Sequence, residues 1–274
     1  MSSHYPCDDR QSSSSEVVKF PNVFDQVESG DGIVLRLYLV RHGETEANLD
    51  SIVAGQSEFP LTVVGVRQSN ALCDAIEHVS FDRYFVSDME RARHTAQLIA
   101  PSKAFTVEPR LREMGKGARE GLPKALTYEQ AVKMRQGESV ARSSHVPLLE
   151  SDMDVWQRVS AWLMEVVRDA MVQERNLSDD ASRVCSVLVV AHAGIIRNIC
   201  SKLVPEQLPA TVEVGDMGKD GSTMKHLHVP NTSITVIDVS VRDSNSDLVD
   251  LLHHIDKLKS KLQLLTWREH LSDL

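Results

Sequence analysis

Residues Ile33 to Asn48 read IVLRLYLVRHGETEAN, a nearly unbroken apolar run that ends abruptly in charged and small residues. Leu35, Leu37, Tyr38, Leu39 and Val40 leave room for only one polar interruption, Arg36. A strand with one wet face would alternate apolar and polar residues, so this pattern predicts a strand buried on both faces of a parallel sheet. In open α/β sheets ligands bind beyond the carboxyl ends of such strands, where Arg41, His42 and Gly43 stand.

A second run of this kind, Ser186 to Ala191, ends at His192, and a helix is expected from Gly194 to Leu203. Between the two runs, apolar residues from Thr62 to His78 recur at helical spacing, with Thr62 as N-cap. Tyr84-Phe85-Val86 follows as a strand, and Asp88 is expected to cap a helix that Pro101 ends near Ala100. Glycines 115, 117 and 121 and Pro123 mark a loop, with a short helix at about 126–136, and Val155 to Val167 define a helix of about 152–173. This alternation predicts an α/β domain. Later, 223–229 and Ser233 to Val239 alternate like edge strands. Leu251, Ile255, Leu258, Leu262 and Leu265 step by four and three, which predicts a C-terminal amphipathic helix of about 246–272, docked on the domain rather than paired in a coiled coil.

Residues 1–32 are polar and aperiodic, carry a serine run and close on Gly30-Asp31-Gly32, so they read as a solvated, disordered tail ahead of a single domain at 33–274. The four cysteines show no metal-ligand or redox spacing and are expected to be reduced thiols of a cytoplasmic protein. No apolar run reaches transmembrane length. Thirty-nine acidic against 30 basic residues give a formal charge of −9, which argues against nucleic acid as a partner. An anionic substrate would therefore need a local cluster of arginines.

His42 and His192, each at a strand end and each followed by small residues, form a coherent pair. Phosphoryl transfer asks mainly for a nucleophile and a positive, donor-rich surround. Arg41 can supply that, as can Arg91 in SDMERARHT on the first turn of the helix after the second strand. Read alone, His192 is equally a satisfied buried histidine, Arg91 an ion-pair partner of Glu90, and the adjacent His253 and His254 a solvated helix face.

Five ordered elements, LYLVRHGETEAN, GQSEFPLTVVG, FVSDMERARHTAQLIA, LREMGKGAREG and VLVVAHAGIIR, together resemble the phosphoglycerate mutase-like branch of the histidine phosphatase superfamily over roughly residues 35–240. The resemblance implies a three-layer α/β/α sandwich with a mostly parallel sheet and one antiparallel strand. It implies that His42 is the nucleophile, that Arg41, Asn48, Arg91 and His192 hold the phosphoryl group, and that Glu113 is the general acid and base, with Glu120 the alternative. It implies no metal and no cofactor, with a small phosphorylated metabolite as substrate. A homodimer is left open.

Two departures from the pattern matter. Ala118-Arg119 stands where many relatives carry a tryptophan, and Ala193 stands where most carry glycine. Thr45 and the compact loop after Glu113 are more similar to the phosphatase members, including the fructose-2,6-bisphosphatase-like group, than to glycolytic mutases. A mutase, and a phosphate-binding module that has lost turnover, stay open as alternatives. Lys116, Arg119, Lys124, Lys133 and Arg135 are candidates for a second phosphate or for plain surface charge.

Overall fold

The computed structural model describes residues 17–21, 33–137, 148–175, 184–204, 227–241 and 258–271. Its centre is a six-stranded sheet of β1 (Ile33–Arg41), β2 (Arg83–Val86), β3 (Thr106–Val107), β4 (Cys185–Ala191), β5 (Ile234–Val241) and β6 (Leu258–Trp267), in the order β3-β2-β4-β1-β5-β6. β3, β2, β4 and β1 pair in parallel, β5 runs antiparallel to β1, and β6 runs antiparallel to β5. One strand of the six therefore opposes the rest, as expected.

Strand alternation divides the core in two. Leu35, Leu37 and Leu39 of β1 and Val187 and Val189 of β4 face α5 (Asp152–Arg175) and α6 (Ala193–Leu203), through Val159, Trp162, Leu163, Ile195 and Ile199. Tyr38, Val40, Leu188 and Val190 face α2 (Val63–Ile76) and α3 (Glu90–Ile99), through Leu72, Ile76, Ala92 and Ala96. Helices on both faces make the three-layer α/β/α sandwich. Short helices α1 (Glu46–Leu49) and α4 (Tyr128–Gly137) lie in the connections at the carboxyl end. Thr62 caps α2, its hydroxyl accepting from Gly65 N at 3.0 Å.

Arg36, the one polar interruption of β1, is buried opposite Asp238 of β5 and forms a two-pronged pair with it, Nε to Oδ1 at 2.6 Å and Nη2 to Oδ2 at 2.9 Å. A charge inside a sheet is tolerable when its partner meets it so completely.

Four expectations are corrected. The C-terminal helix is strand β6 over Leu258–Trp267; the sequence Leu258-Lys259-Ser260-Lys261-Leu262 also alternates with a period of two, and the open edge of β5 offers backbone groups that need partners. β5 is consequently interior rather than an edge strand, and Leu227 to Val229 is irregular although Leu227 and Val229 are buried. The tail is not solvated throughout: Phe20 is buried against Tyr38 and Trp267, and its N–H donates to Ala75 O at 2.9 Å. Asp88 does not cap α3, whose N-cap is Met89; Arg112 holds the Asp88 carboxylate instead. The His253-His254 pair and the rest of 246–257 lie outside the described residues.

Asp238→Ala is expected to cost about 3–5 kcal/mol in urea unfolding because it removes the carboxylate that faces the buried Arg36 charge, whereas Arg36→Met with Asp238→Leu stays within about 1–2 kcal/mol of wild type. A single variant costing under about 1 kcal/mol would show that Arg36 finds other relief.

Candidate active site

Backbone bonds that continue the sheet register set the site. Beyond the pair Arg41 and Ala191, His42 N donates to Ala191 O at 3.0 Å, and Ser87 N donates to Val190 O at 3.0 Å. The strand order β2-β4-β1 thus lines up Ser87, His192 and His42 at one level. The two imidazole rings lie 5.2 Å apart between centroids, and both are buried.

His42 Nδ1 lies 2.7 Å from its neighbour's carbonyl, Gly43 O. A carbonyl can only accept, so Nδ1 carries the proton and Nε2 keeps its lone pair. Burial first, then the charges of Arg91 and Arg41, hold the His42 pKa well below the usual 6.5, so the ring is neutral. The close fit at Gly43 permits this placement. A Cβ there would meet Gly65 O of α2 at 2.6 Å, and one at Gly65 would collide with Glu44 O.

His192 Nε2 pairs with Ser87 Oγ at 2.8 Å, while Ser87 Oγ also lies 3.4 Å from Met89 N. The Ser87 hydroxyl can donate to Nε2, in which case His192 Nδ1 carries the proton, or accept from it. His192 Nδ1 is buried with no partner among the described residues. Burial, Arg91, His42 and Arg41 hold His192 neutral as well.

Arg41 and Arg91 are fixed by carbonyls: Arg41 Nη1 donates to Val229 O at 2.6 Å, and Arg91 to Ser57 O and Gly55 O at 2.9 and 2.8 Å. Carbonyls orient a guanidinium without cancelling its charge, and the Nε of each is buried and unpartnered. Burial lowers Arg41 to about 10 despite the favourable pull of Glu113, with Arg197 and Arg91 opposing, so it remains charged at neutral pH. Asn48 Oδ1 accepts from Thr45 N, Thr45 Oγ1 and Asn231 Nδ2 at 3.1–3.2 Å, which turns its Nδ2 donor toward the cleft.

Glu113 and Glu120 separate clearly. Glu113 lines the cleft, its side chain accepting from Met114 N at 2.8 Å and Gly194 N at 3.2 Å. Its backbone carbonyl is clamped by Gln56 Nε2 and Arg158 Nη2 at 3.0 and 3.3 Å. Glu120 is 3% exposed and serves its own loop, accepting from Lys116 N at 2.8 Å and Ser57 Oγ at 3.2 Å.

The cleft holds about 440 Å³ and is lined by Arg41, His42, Asn48, Arg91 and Glu113, with His192 packed behind His42. All six residues expected from the sequence therefore converge. Lys116, Arg119 and Lys124 line the same cleft; Lys133 is exposed elsewhere, and Arg135 spends its guanidinium on the carbonyls of Ala118 and Glu120. Sequence reading missed Ser87, Thr95, Asn231 and Arg197. Thr95 accepts from Gly43 N at 2.9 Å and ties α3 to the histidine loop. Asn231 donates to His42 O at 3.0 Å, and its signal was the polar Asn231-Thr232 turn before β5, where Thr232 takes a φ of 55°. Among the described residues no group of three or more His, Cys, Asp or Glu is placed to hold a metal, and no helix is long and apolar enough to cross a membrane.

The family model of the histidine phosphatase superfamily (branch 1) matches residues 37–249. An adenosylcobalamin/α-ribazole phosphatase of Escherichia coli (strain K12) is 43% identical over 82 residues, 29% of this chain and 40% of that protein. A probable phosphoglycerate mutase, GpmB, of Yersinia pestis (strain Pestoides F) is 34% identical over 133 residues, 47% of this chain and 62% of that protein. The chain thus spans less than two thirds of either curated relative. The solved α-ribazole phosphatase of Shigella flexneri shares the fold, with a TM-score of 0.56 at 23% identity over 85% of this chain and 97% of that one. With the family's pattern matched across most of its length and its strand-end histidines brought together, the chain belongs to branch 1 of the histidine phosphatase superfamily.

Proposed function

We infer that the chain is a metal-independent phosphomonoesterase of small phosphorylated metabolites, working through a phosphohistidine at His42. The observation that carries this reading is the lone pair on His42 Nε2, fixed by the Nδ1 bond to Gly43 O, in a cleft that the guanidiniums of Arg41 and Arg91 also line. A trigonal phosphoryl group presents equatorial oxygens to just such donors.

In the first step His42 Nε2 bonds to phosphorus as the P–O bond to the substrate breaks, and Glu113 gives its proton to the departing oxygen. In the second, the Glu113 carboxylate takes a proton from water, whose oxygen bonds to phosphorus as the P–N bond breaks. Inorganic phosphate leaves, and His42 and Glu113 return to their starting states. Arg41 and Arg91 keep their charge throughout and bind the phosphoryl oxygens most tightly as charge builds on them.

The reading is tested by phosphate release from a panel of esters with EDTA present and by acid-quench trapping of 32P on the protein. His42→Ala should lose turnover by at least about a thousandfold and take up no label; turnover within tenfold of wild type would overturn the nucleophile assignment. In labelled protein the His42 ring should show the Nδ1–H tautomer and stay neutral as the pH is lowered through the usual histidine range, because its protonated form is disfavoured in the fold; a midpoint near 6.5 would contradict a buried, neutral ring. Glu113→Gln should slow alkyl phosphate hydrolysis by about 10²–10⁴ and formation of the phosphohistidine from p-nitrophenyl phosphate far less, since that leaving group needs no proton. Gly194→Ala, whose Cβ would collide with Glu113 Oε1, should show the same selective loss in a folded protein. If Glu120→Gln shows it instead, the acid is Glu120.

A further inference from the structure

Glu113 reaches the cleft from a loop that is held at several residues by groups outside the lining of the cleft. Arg158, on the second turn of α5, donates Nη1 to Arg110 O at 2.6 Å and Nη2 to Glu113 O at 3.3 Å. The same guanidinium meets Glu150 with Nε to Oε1 at 2.8 Å and Nη2 to Oε2 at 2.9 Å. Glu150 Oε2 in turn accepts from Gly115 N at 2.8 Å and from Gln56 Nε2 at 3.2 Å. A short stretch of backbone pairing completes the hold, Glu150 N donating to Gly115 O and Gly117 N to Leu148 O, each at 3.1 Å. Gly115 packs so closely there that a Cβ would meet Leu148 O at 2.2 Å.

Two features set this arrangement apart from ordinary packing. The Arg158 and Glu150 side chains are 19% and 6% exposed, and their hydrogen bonds run to each other, to Gln56 and to the loop at Arg110, Glu113 and Gly115. A pair so buried adds little net stability over an apolar pair of the same size, so its use lies in the geometry it imposes. Gln56 is the second feature. Its amide joins Glu113 O to Glu150, while its chain neighbours Gly55 and Ser57 present the carbonyls that aim Arg91. The pair therefore ties the loop of the proposed acid to the loop that orients a phosphate-gripping arginine. An acid must lie within hydrogen-bond reach of the oxygen that leaves phosphorus, and a misplacement of about 1 Å can cost about 10²-fold in rate.

We propose that Arg158 and Glu150 are positioning residues for the acid: acting through Gln56 and the backbone of residues 110–115, they hold the Glu113 carboxyl where the leaving oxygen departs, without touching substrate. This inference rests on the reading of Glu113 as general acid.

The test exploits the leaving group. Because kcat/KM covers only the steps up to release of the alcohol, glycerol 3-phosphate compared with p-nitrophenyl phosphate isolates the proton given to the leaving oxygen. Arg158→Met and Glu150→Gln should each lower kcat/KM by about tenfold or more for the alkyl ester and by less than about threefold for the aryl ester. The two variants change charge in opposite directions, so a loss common to both is one of geometry. In a Glu113→Gln background neither should lower the alkyl value by more than about twofold further, because the group they place is gone. Where Glu113→Gln shows the selective loss, parallel loss on both esters in the two variants, or unchanged alkyl hydrolysis, overturns the proposal.

Amide hydrogen exchange reads the placement without turnover. Met114 N and Gly194 N donate to the Glu113 carboxylate, and their protection should fall by about tenfold or more in both variants while the amides of β1 keep theirs. Protection that both variants retain, or lose only together with β1, overturns the proposal whatever the esters do. Protection lost at these two amides alone, with Glu113→Gln indifferent to the leaving group, would sink the acid reading and leave the positioning of the carboxyl standing. Selective alkyl loss in Glu113→Gln but in neither variant would do the reverse.

Discussion

The parallel register of β1 against β4 places Arg41 opposite Ala191, so the chain leaves both strands at one level and the imidazoles of His42 and His192 meet there. Much of the site hangs on that pairing. β2 adds Ser87 beside His192, and the turn into α3 brings Arg91 over the same strand ends. Because β4 enters between β1 and β2, residues distant in sequence become neighbours without a long loop between them. Such a site sits on rigid strands, which suits chemistry that depends on in-line geometry.

Two buried guanidiniums beside two buried imidazoles set the electrostatics. Each arginine makes protonation of either histidine harder, and burial adds to the effect, so the rings stay neutral while the arginines stay charged. The outcome is a neutral His42 ring with a free lone pair inside a positive field, the condition the proposed nucleophile needs, and one that an exposed histidine of ordinary basicity near Asp or Glu would not give. Backbone carbonyls make this possible. Acceptors at Val229, Ser57 and Gly55 aim the arginines without neutralising them, while Glu58 reaches Arg91 only at 3.9 Å. An incoming dianion therefore meets guanidiniums whose hydrogen bonds go to carbonyls, with Glu113, Glu58 and Glu120 acting on them through charge alone.

How much was legible follows from where the determining forces lie. β1 and β4 were readable because burial on both faces demands a continuous apolar run, and α2 and α5 because one apolar stripe at helical spacing is a local property. His42, Arg41 and Arg91 were readable because their addresses at strand ends and at a helix start are local too. The buried partner of Arg36 was not, since Asp238 lies 202 residues away. Phe20 looked like part of a polar tail because the aromatic cluster that receives it, Tyr38 and Trp267, comes from β1 and the far end of the chain. Leu258 and Leu262, four residues apart, satisfy a helical and a strand reading alike, and the open edge of β5 decides between them. Glu113 and Glu120 share one loop, and only the fold shows that one faces the cleft while the other braces its own backbone.

A methyl group at Ala193 narrows the approach to backbone donors at the start of α6, which bears on the reading of a phosphate-binding module that has lost turnover. The geometry moves the steric demand one residue on. Gly194 is the position at which a Cβ would strike the Glu113 carboxylate, and Gly194 N is the donor that holds it. The residue that must lack a side chain still lacks one. Ala193 lies at the first position of α6 and lines the cleft. Its methyl group therefore narrows what enters, while the hydrogen bonds of Glu113 and His42 are made in its presence, so the departure bears on which substrate the proposed chemistry would take.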